Sequence, residues 1–377
     1  MKQVWYEWKK LISDKSVLLV VVLSMCIVLG YQWKNADSYA WQRNESYREY
    51  YEDALTTVEK MDAETARQWL QEESAWQSFL LSAAYGDSDM AFELLQMNAP
   101  EVDWNKRLKE NANEKTDIQQ TQQKYQAFTK LLERVNYAIS YAEFLESVKT
   151  QAQSMSKLSL FSDVDSFSEK NIQKTAEAYE KMNAVQPGLT YSDAADAWSD
   201  SALADVIVPG LLLFLGWAIF RKEKEAGLYQ LLGSTKRGHL EMALAKTIVY
   251  FFFAVLLAIL LYGSQIVLAI LMYGTGDMTL ALISIPSFRN CPYPISIQQY
   301  LILYLGVKVL AALFYASVIM AMLTRRFRFG IAASACVVVI CLEYLAYDQI
   351  NSVSKWNALK YLNLAAVIDA KAWFCEY

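Results

Sequence analysis

Five long apolar runs constrain this chain more than anything else in it: residues 16–31, 202–220, 243–273, 299–323 and 330–347. A bilayer core of about 30 Å takes roughly 20 predominantly apolar residues as one helix. Inside lipid, only helices and closed barrels satisfy every backbone group. Between the first two runs lies a stretch of different character. Residues 32–201 hold 29 Asp and Glu against 17 Lys and Arg, a net of −12, while the remainder of the chain is net +7. An acidic, soluble insert is therefore set into a basic, apolar frame. The overall charge of −5 belongs to neither part and supports no inference about nucleic acid.

The insert has two glycines, Gly86 and Gly188, and two prolines, Pro100 and Pro187. A β-sandwich needs turn residues about every dozen positions, so that scarcity argues for helices. Apolar side chains recur at helical spacing: Leu55, Val58 and Met61; Trp69, Leu70, Trp76, Phe79 and Leu80; and from Ile118 through Leu131, Leu132, Val135 and Phe144 to Val148. A last helix is expected around 168–182, before the break at Gln186-Pro187-Gly188. Such a domain serves either as a spacer or as a recognition module for a substrate or partner.

Charge sets the expected orientation, because Lys and Arg are retained on the cytoplasmic side. The first run follows Lys9, Lys10 and Lys15 and has no small-x-small cleavage site after it, which favours a retained span over a signal peptide. Val4, Trp5, Trp8, Leu11 and Ile12 recur at helical spacing ahead of it, a pattern that suits a helix in the headgroup layer. The run 243–273 is too long for one crossing, so Gly263-Ser264 is expected to divide it. Residues 274–294, with Pro286, Pro292 and Pro294, read as an external loop, in part re-entrant. Arg325, Arg326 and Arg328 mark a second cytoplasmic loop, and nothing in 348–377 is long enough to cross. The expectation is an all-α, polytopic helical membrane protein with an α-helical extracellular domain between its first and second spans. Its parts are an entry helix and first span (1–31), the insert (32–201), spans two to five (202–347) and an external segment (348–377).

Two charges fall deep inside the runs. Lys308 and Glu343 stand at comparable depth in the fourth and fifth, and an unpaired charge at mid-bilayer costs at least about 2.5–3.5 kcal/mol. A Lys308–Glu343 ion pair is expected, acting as a packing clamp or as part of a translocation path. Lys246, one turn into its run, is expected to snorkel to the headgroups. No phosphate-binding loop of the Gly-x-x-x-x-Gly-Lys-Ser/Thr kind is present, and the only histidine is His239. These absences argue against an enzyme and against a His-rich metal site. Cys26, Cys336 and Cys341 lie in apolar runs as small hydrophobes, whereas Cys291 and Cys375 fall outside them and leave a bridge open.

The second and third runs are joined by a charged stretch, 221–246, whose first nineteen residues include Arg221, Lys222, Lys224, Lys236, Arg237 and His239. Within it Glu223 and Glu225 precede Gly227, Leu231-Leu232 and Gly233-Ser234-Thr235, an order suited to a short surface helix broken at Gly233 and recapped. With the Trp5–Ile12 entry segment, this order resembles that of the type-2 ABC exporter permeases. The resemblance implies that the stretch is a coupling helix seated in an ATPase subunit, with Glu223, Glu225, Gly227, Leu231, Leu232 and Ser234 at the joint. It implies no cofactor on this chain, ATP and Mg on the partner, and a second permease subunit, alike or related, in the plasma membrane. It also implies six spans; five runs place Cys375-Glu376-Tyr377 inside the excursion before the sixth, as in a truncated chain or one whose last span lies on another chain. Amphiphilic or antimicrobial peptides suit the acidic domain best, and lipids, small drugs and ions remain candidates. The alternatives are an ABC permease that works mechanically on external substrates, and a membrane-anchored sensor or scaffold.

Overall fold

The computed structural model describes residues 2–36, 41–86, 92–93, 95–96, 102–110, 117–157, 167–221 and 238–324, with 330–331, 334–335, 337–338 and 341 beyond them. The described residues are predominantly helical and include no strand; a single antiparallel bridge joins Ala281 to Ser296. They form two compact units. The first comprises residues 1–35, 196–269 and 298–377, and the second 36–195 with 270–297.

Among its described residues, the first unit is built on four helices long and apolar enough to cross a bilayer, Lys15–Ala36, Ala194–Phe220, Glu241–Tyr273 and Ile297–Thr324. The chain is a multi-pass helical membrane protein. Helix α1 (Lys2–Ser13) leads into α2 (Lys15–Ala36) across Asp14, whose carboxylate accepts from the Ser16 N–H. These spans are apolar on every side, as bilayer helices must be. The later span Gly238–Tyr273 turns Ala245, Val249, Phe253 and Leu257 inward and Leu244, Ile248, Phe252, Leu256 and Ile259 outward. Both stripes keep the helical period; the outward one has lipid as its solvent.

Packing inside the bundle depends on close approach rather than on expulsion of water. At Gly216 a Cβ would stand 2.6 Å from Leu323 Cδ1 and 3.3 Å from the Tyr250 hydroxyl. A larger side chain there would separate the helices. The fifth apolar run lies largely outside the described residues.

The second unit is organised on one long helix. Helix α3 (Glu45–Val58) is capped by Asn44, whose side chain accepts from Ser46 N–H, and α4 (Ala63–Ala84) by Asp62, which accepts from Thr65 N–H. Asp62 is fully exposed, and the Thr65 bonds hold its carboxyl below the ordinary range. After α5 (Trp104–Glu110) comes α6 (Ile118–Lys157), 40 residues or about 60 Å. Helices α3, α4 and α7 (Phe167–Glu180) all pack on α6. Tyr47, Tyr51, Ala54 and Val58 of α3 form one helical stripe that meets Ala127, Leu131 and Val135 of α6. A second apolar cluster joins Trp76 and Phe79 to Leu95 and Trp104, where the Trp76 and Trp104 rings stack at 6.1 Å. Arg107 lies over Trp76 and is paired with Glu73 at 2.7 Å.

One expectation is corrected here. Helix Gly238–Tyr273 runs unbroken through Gly263 and Ser264, and the Ser264 hydroxyl donates to Leu261 C=O at 2.8 Å. With lipid around it, a helix backbone has no water to exchange its bonds with, so a Gly-Ser pair does not end it. The chain turns at Gly274 instead, with φ of +80°, where a Cβ would stand 2.7 Å from an Arg48 nitrogen. Residues 274–294 form a packed connection between two spans. They belong to the second unit and fold as two short 3-10 turns, Leu282–Ser284 and Pro286–Phe288. Leu282, Ile283, Phe288 and Cys291 are fully buried. The backbone of this segment is held by donors distant in sequence: the Tyr137 hydroxyl to Ile283 C=O and the Tyr179 hydroxyl to Asn290 C=O, both at 2.7 Å.

Candidate functional site

Span Ala194–Phe220 is two helices, α8 (Ala194–Ser199) and α9 (Ala202–Gly216), extended by a π-helical turn at Trp217–Arg221. Non-helical backbone at membrane depth is tolerated where protein covers it, and discontinuous spans mark binding sites in transporters. Asp205 lies in the first turn of α9, where helix N–H groups favour a carboxylate. Four residues on, Pro209 offers no N–H to the Asp205 carbonyl, which loosens the same turn.

Three helices converge on that carboxylate: α9, α10 (Gly238–Tyr273) and α11 (Ile297–Thr324). Asp205 Oδ1 accepts from Lys308 Nζ and from the Tyr262 hydroxyl, each at 2.7 Å, and Oδ2 accepts from Ser201 Oγ at 2.8 Å. The Lys308 ammonium stands 5.1 Å from the Tyr262 ring centre and 5.3 Å from that of Tyr304. Trp198 of α8 stacks on Tyr300 at 5.3 Å and meets Tyr304 edge-on at 5.1 Å. Lys308 is only 1% exposed. A charge so enclosed persists only with a counter-charge and hydrogen bonds around it, and both are present.

Among the described residues, the carboxylate bonded to Lys308 is Asp205; Glu343 lies outside them. A sequence signal for the Asp205 pairing exists. Asp205 and Lys308 each occupy the twelfth position of their spans, Ala194–Phe220 and Ile297–Thr324. Starting the second span at Ala202 rather than Ala194 hides that match.

At the opposite end of the same bundle sits a second polar joint. Lys246 is 5% exposed and donates to the Ile219 carbonyl at 2.9 Å, with Glu7 Oε1 of α1 4.0 Å away. Lys246 does not snorkel to solvent, contrary to expectation. The π turn leaves carbonyls outside the ordinary helical ladder, and the ammonium takes one of them. Helix α1 buries Leu11 and packs Val4 and Trp8 on the core, while Trp5 and Tyr6 face outward and Trp5 stacks on Trp8 at 5.3 Å. The stretch between these anchors, with Glu223, Glu225, Gly227, Leu231, Leu232 and Ser234, lies outside the described residues.

The second unit holds its own largely buried ionic knot, which no spacing in the chain marks. Asp193 accepts from Arg134 at 2.5 Å, and from Lys130 and the Gln42 amide at 2.7 Å each. Arg134 Nε also donates to Thr190 C=O at 3.1 Å. Burial alone would raise the Asp193 carboxyl; the Lys130 and Arg134 charges and the Lys130 and Gln42 bonds outweigh it and hold the group below the ordinary range. Burial drives the neighbouring Tyr47 and Tyr51 phenols upward. Ser192 Oγ donates to Gly274 C=O at 2.7 Å, so residues 42, 190–193 and 274 are gathered at one place.

No family model, curated protein or solved structure matches the chain. Its class therefore rests on its own features: an all-helical, multi-pass membrane protein whose spans carry a caged ion pair at one end and a lysine–carbonyl anchor at the other.

Proposed function

We propose that this chain is the permease subunit of an ATP-driven exporter in the plasma membrane, with α1 and residues 222–237 in the cytoplasm and the 36–195 domain outside. The observation that carries this reading is the Lys246 joint. It fastens Ile219 and α10, the two ends of the charged 222–237 stretch, to each other and to the entry helix through Glu7. A loop built on such a frame can pass a push from below into the spans, which a free tether cannot. ATP and Mg bind on a separate subunit, and closure of two such subunits rocks the spans. Glu223, Glu225, Gly227, Leu231, Leu232 and Ser234 form the docking face, and a second permease subunit completes the complex.

The test is co-purification from the native membrane in mild detergent, with Mg-dependent ATP hydrolysis measured in the eluate. Wild-type chain is expected to bring ATPase activity with it, and Leu231→Asp/Leu232→Asp to lose at least ~10-fold of it while melting at the same temperature. ATPase absent from the wild-type eluate, or undiminished in the variant, contradicts the reading. The separate compactness of the 36–195 and 270–297 unit favours one second reading, a permease that moves this domain against external substrates. Transport into inverted vesicles distinguishes the two.

A further inference from the structure

The surroundings of Lys308 are those by which proteins recognise a foreign ammonium ion: a carboxylate oxygen at 2.7 Å and two ring faces within about 6 Å. We infer that Asp205, Tyr262 and Tyr304 form an ammonium-binding cage, that Lys308 is its tethered occupant, and that amphiphilic cations displace it. This goes beyond the exporter reading and needs no ATPase.

Three observations carry it. The wall of the cage formed by Ser201 belongs to the non-helical link between α8 and α9, where Ser201 caps α9 and its carbonyl accepts from the Asp205 N–H at 2.9 Å, so that side is closed by a link and not by a continuous helix. Val206, next to Asp205, is 73% exposed on the bundle's surface, so the lipid phase reaches the flank of the cage. The contacts described around the cation include a carboxylate oxygen and two ring faces, which fit any primary or quaternary ammonium of similar size. A tethered competitor acts at a high effective concentration. Dilute soluble amines therefore fail to displace it, whereas an amphiphile concentrated in the bilayer by its alkyl chain succeeds.

The experiment uses the full chain in phosphatidylcholine nanodiscs, an amine-acetylating reagent, and mass spectrometry to quantify acetylation at each lysine. The probe is dodecyltrimethylammonium, which has no primary amine to consume reagent; dodecyl maltoside is the neutral control. Wild-type Lys308 is expected to be nearly unreactive, to become several-fold more reactive with the cation, and to be unchanged by the maltoside. Lys246, also buried in the same bundle, is expected to stay unreactive throughout. Asp205→Asn is expected to leave Lys308 reactive before any probe is added. A flat response in the wild type, an equal response to both amphiphiles, or a parallel rise at Lys246 overturns the inference, and the wild-type arms decide it whether or not the variant folds. Loss of the ATPase partner leaves this result untouched, so the two proposals fail separately.

Discussion

Replacing Lys308 by Met is expected to destabilise the protein by about 3–5 kcal/mol, the cost of leaving one member of a buried ion pair without its partner. Met keeps most of the lysine stem and its packing against Tyr262 and Tyr304 but removes the charge that Asp205 faces. Asp205→Leu is expected to cost a similar amount from the other side. The double variant Asp205→Leu/Lys308→Met is expected to lie near wild type, because an apolar pair of similar volume avoids both desolvation penalties. Unfolding of the four proteins in nanodiscs gives the coupling directly as a double-mutant cycle. Additive losses would show that the 2.7 Å contact carries no coupling.

Breaking the Asp193 knot has an effect of the same order in the second unit. Arg134 is 3% exposed, and Arg134→Met is expected to cost about 3–5 kcal/mol. The pH dependence follows from the depressed carboxyl. Its stabilisation is complete above the unfolded value near 3.9 and is lost as pH falls through the lower folded value. The groups facing it are Lys130, Arg134 and the Gln42 amide, with Glu133 3.8 Å from Lys130. Thermal melts should therefore show Asp193→Asn well below wild type at pH 7, with the gap closing as pH drops below about 4. A gap that stays constant to pH 3 would mean that Asp193 contributes through shape rather than charge.

Much of the fold is legible because apolar run length and helical spacing report directly on burial and lipid contact. The spans and the Tyr47–Val58 and Leu131–Val135 stripes are of this kind. Other features depend on partners far away in sequence. The prolines of 274–294 read as a loop, yet that segment is bound through its carbonyls by Tyr137 and Tyr179, more than a hundred residues upstream. Gly263-Ser264 reads as a break only by the rules of water-exposed helices. Lys246 reads as a surface cation because nothing local reveals the π turn whose Ile219 carbonyl it takes. The Asp193 knot draws its members from three separated segments, and no spacing marks it.

The central claim is that the charged stretch between the second and third crossings faces the cytoplasm and receives a partner's push. It is tested most directly by placing a cysteine at Ser234 after replacing the five native cysteines. Intact cells are then treated with a membrane-impermeant maleimide, before and after permeabilisation. Labelling only after permeabilisation is the predicted result; full labelling of Ser234→Cys in intact cells would contradict the account.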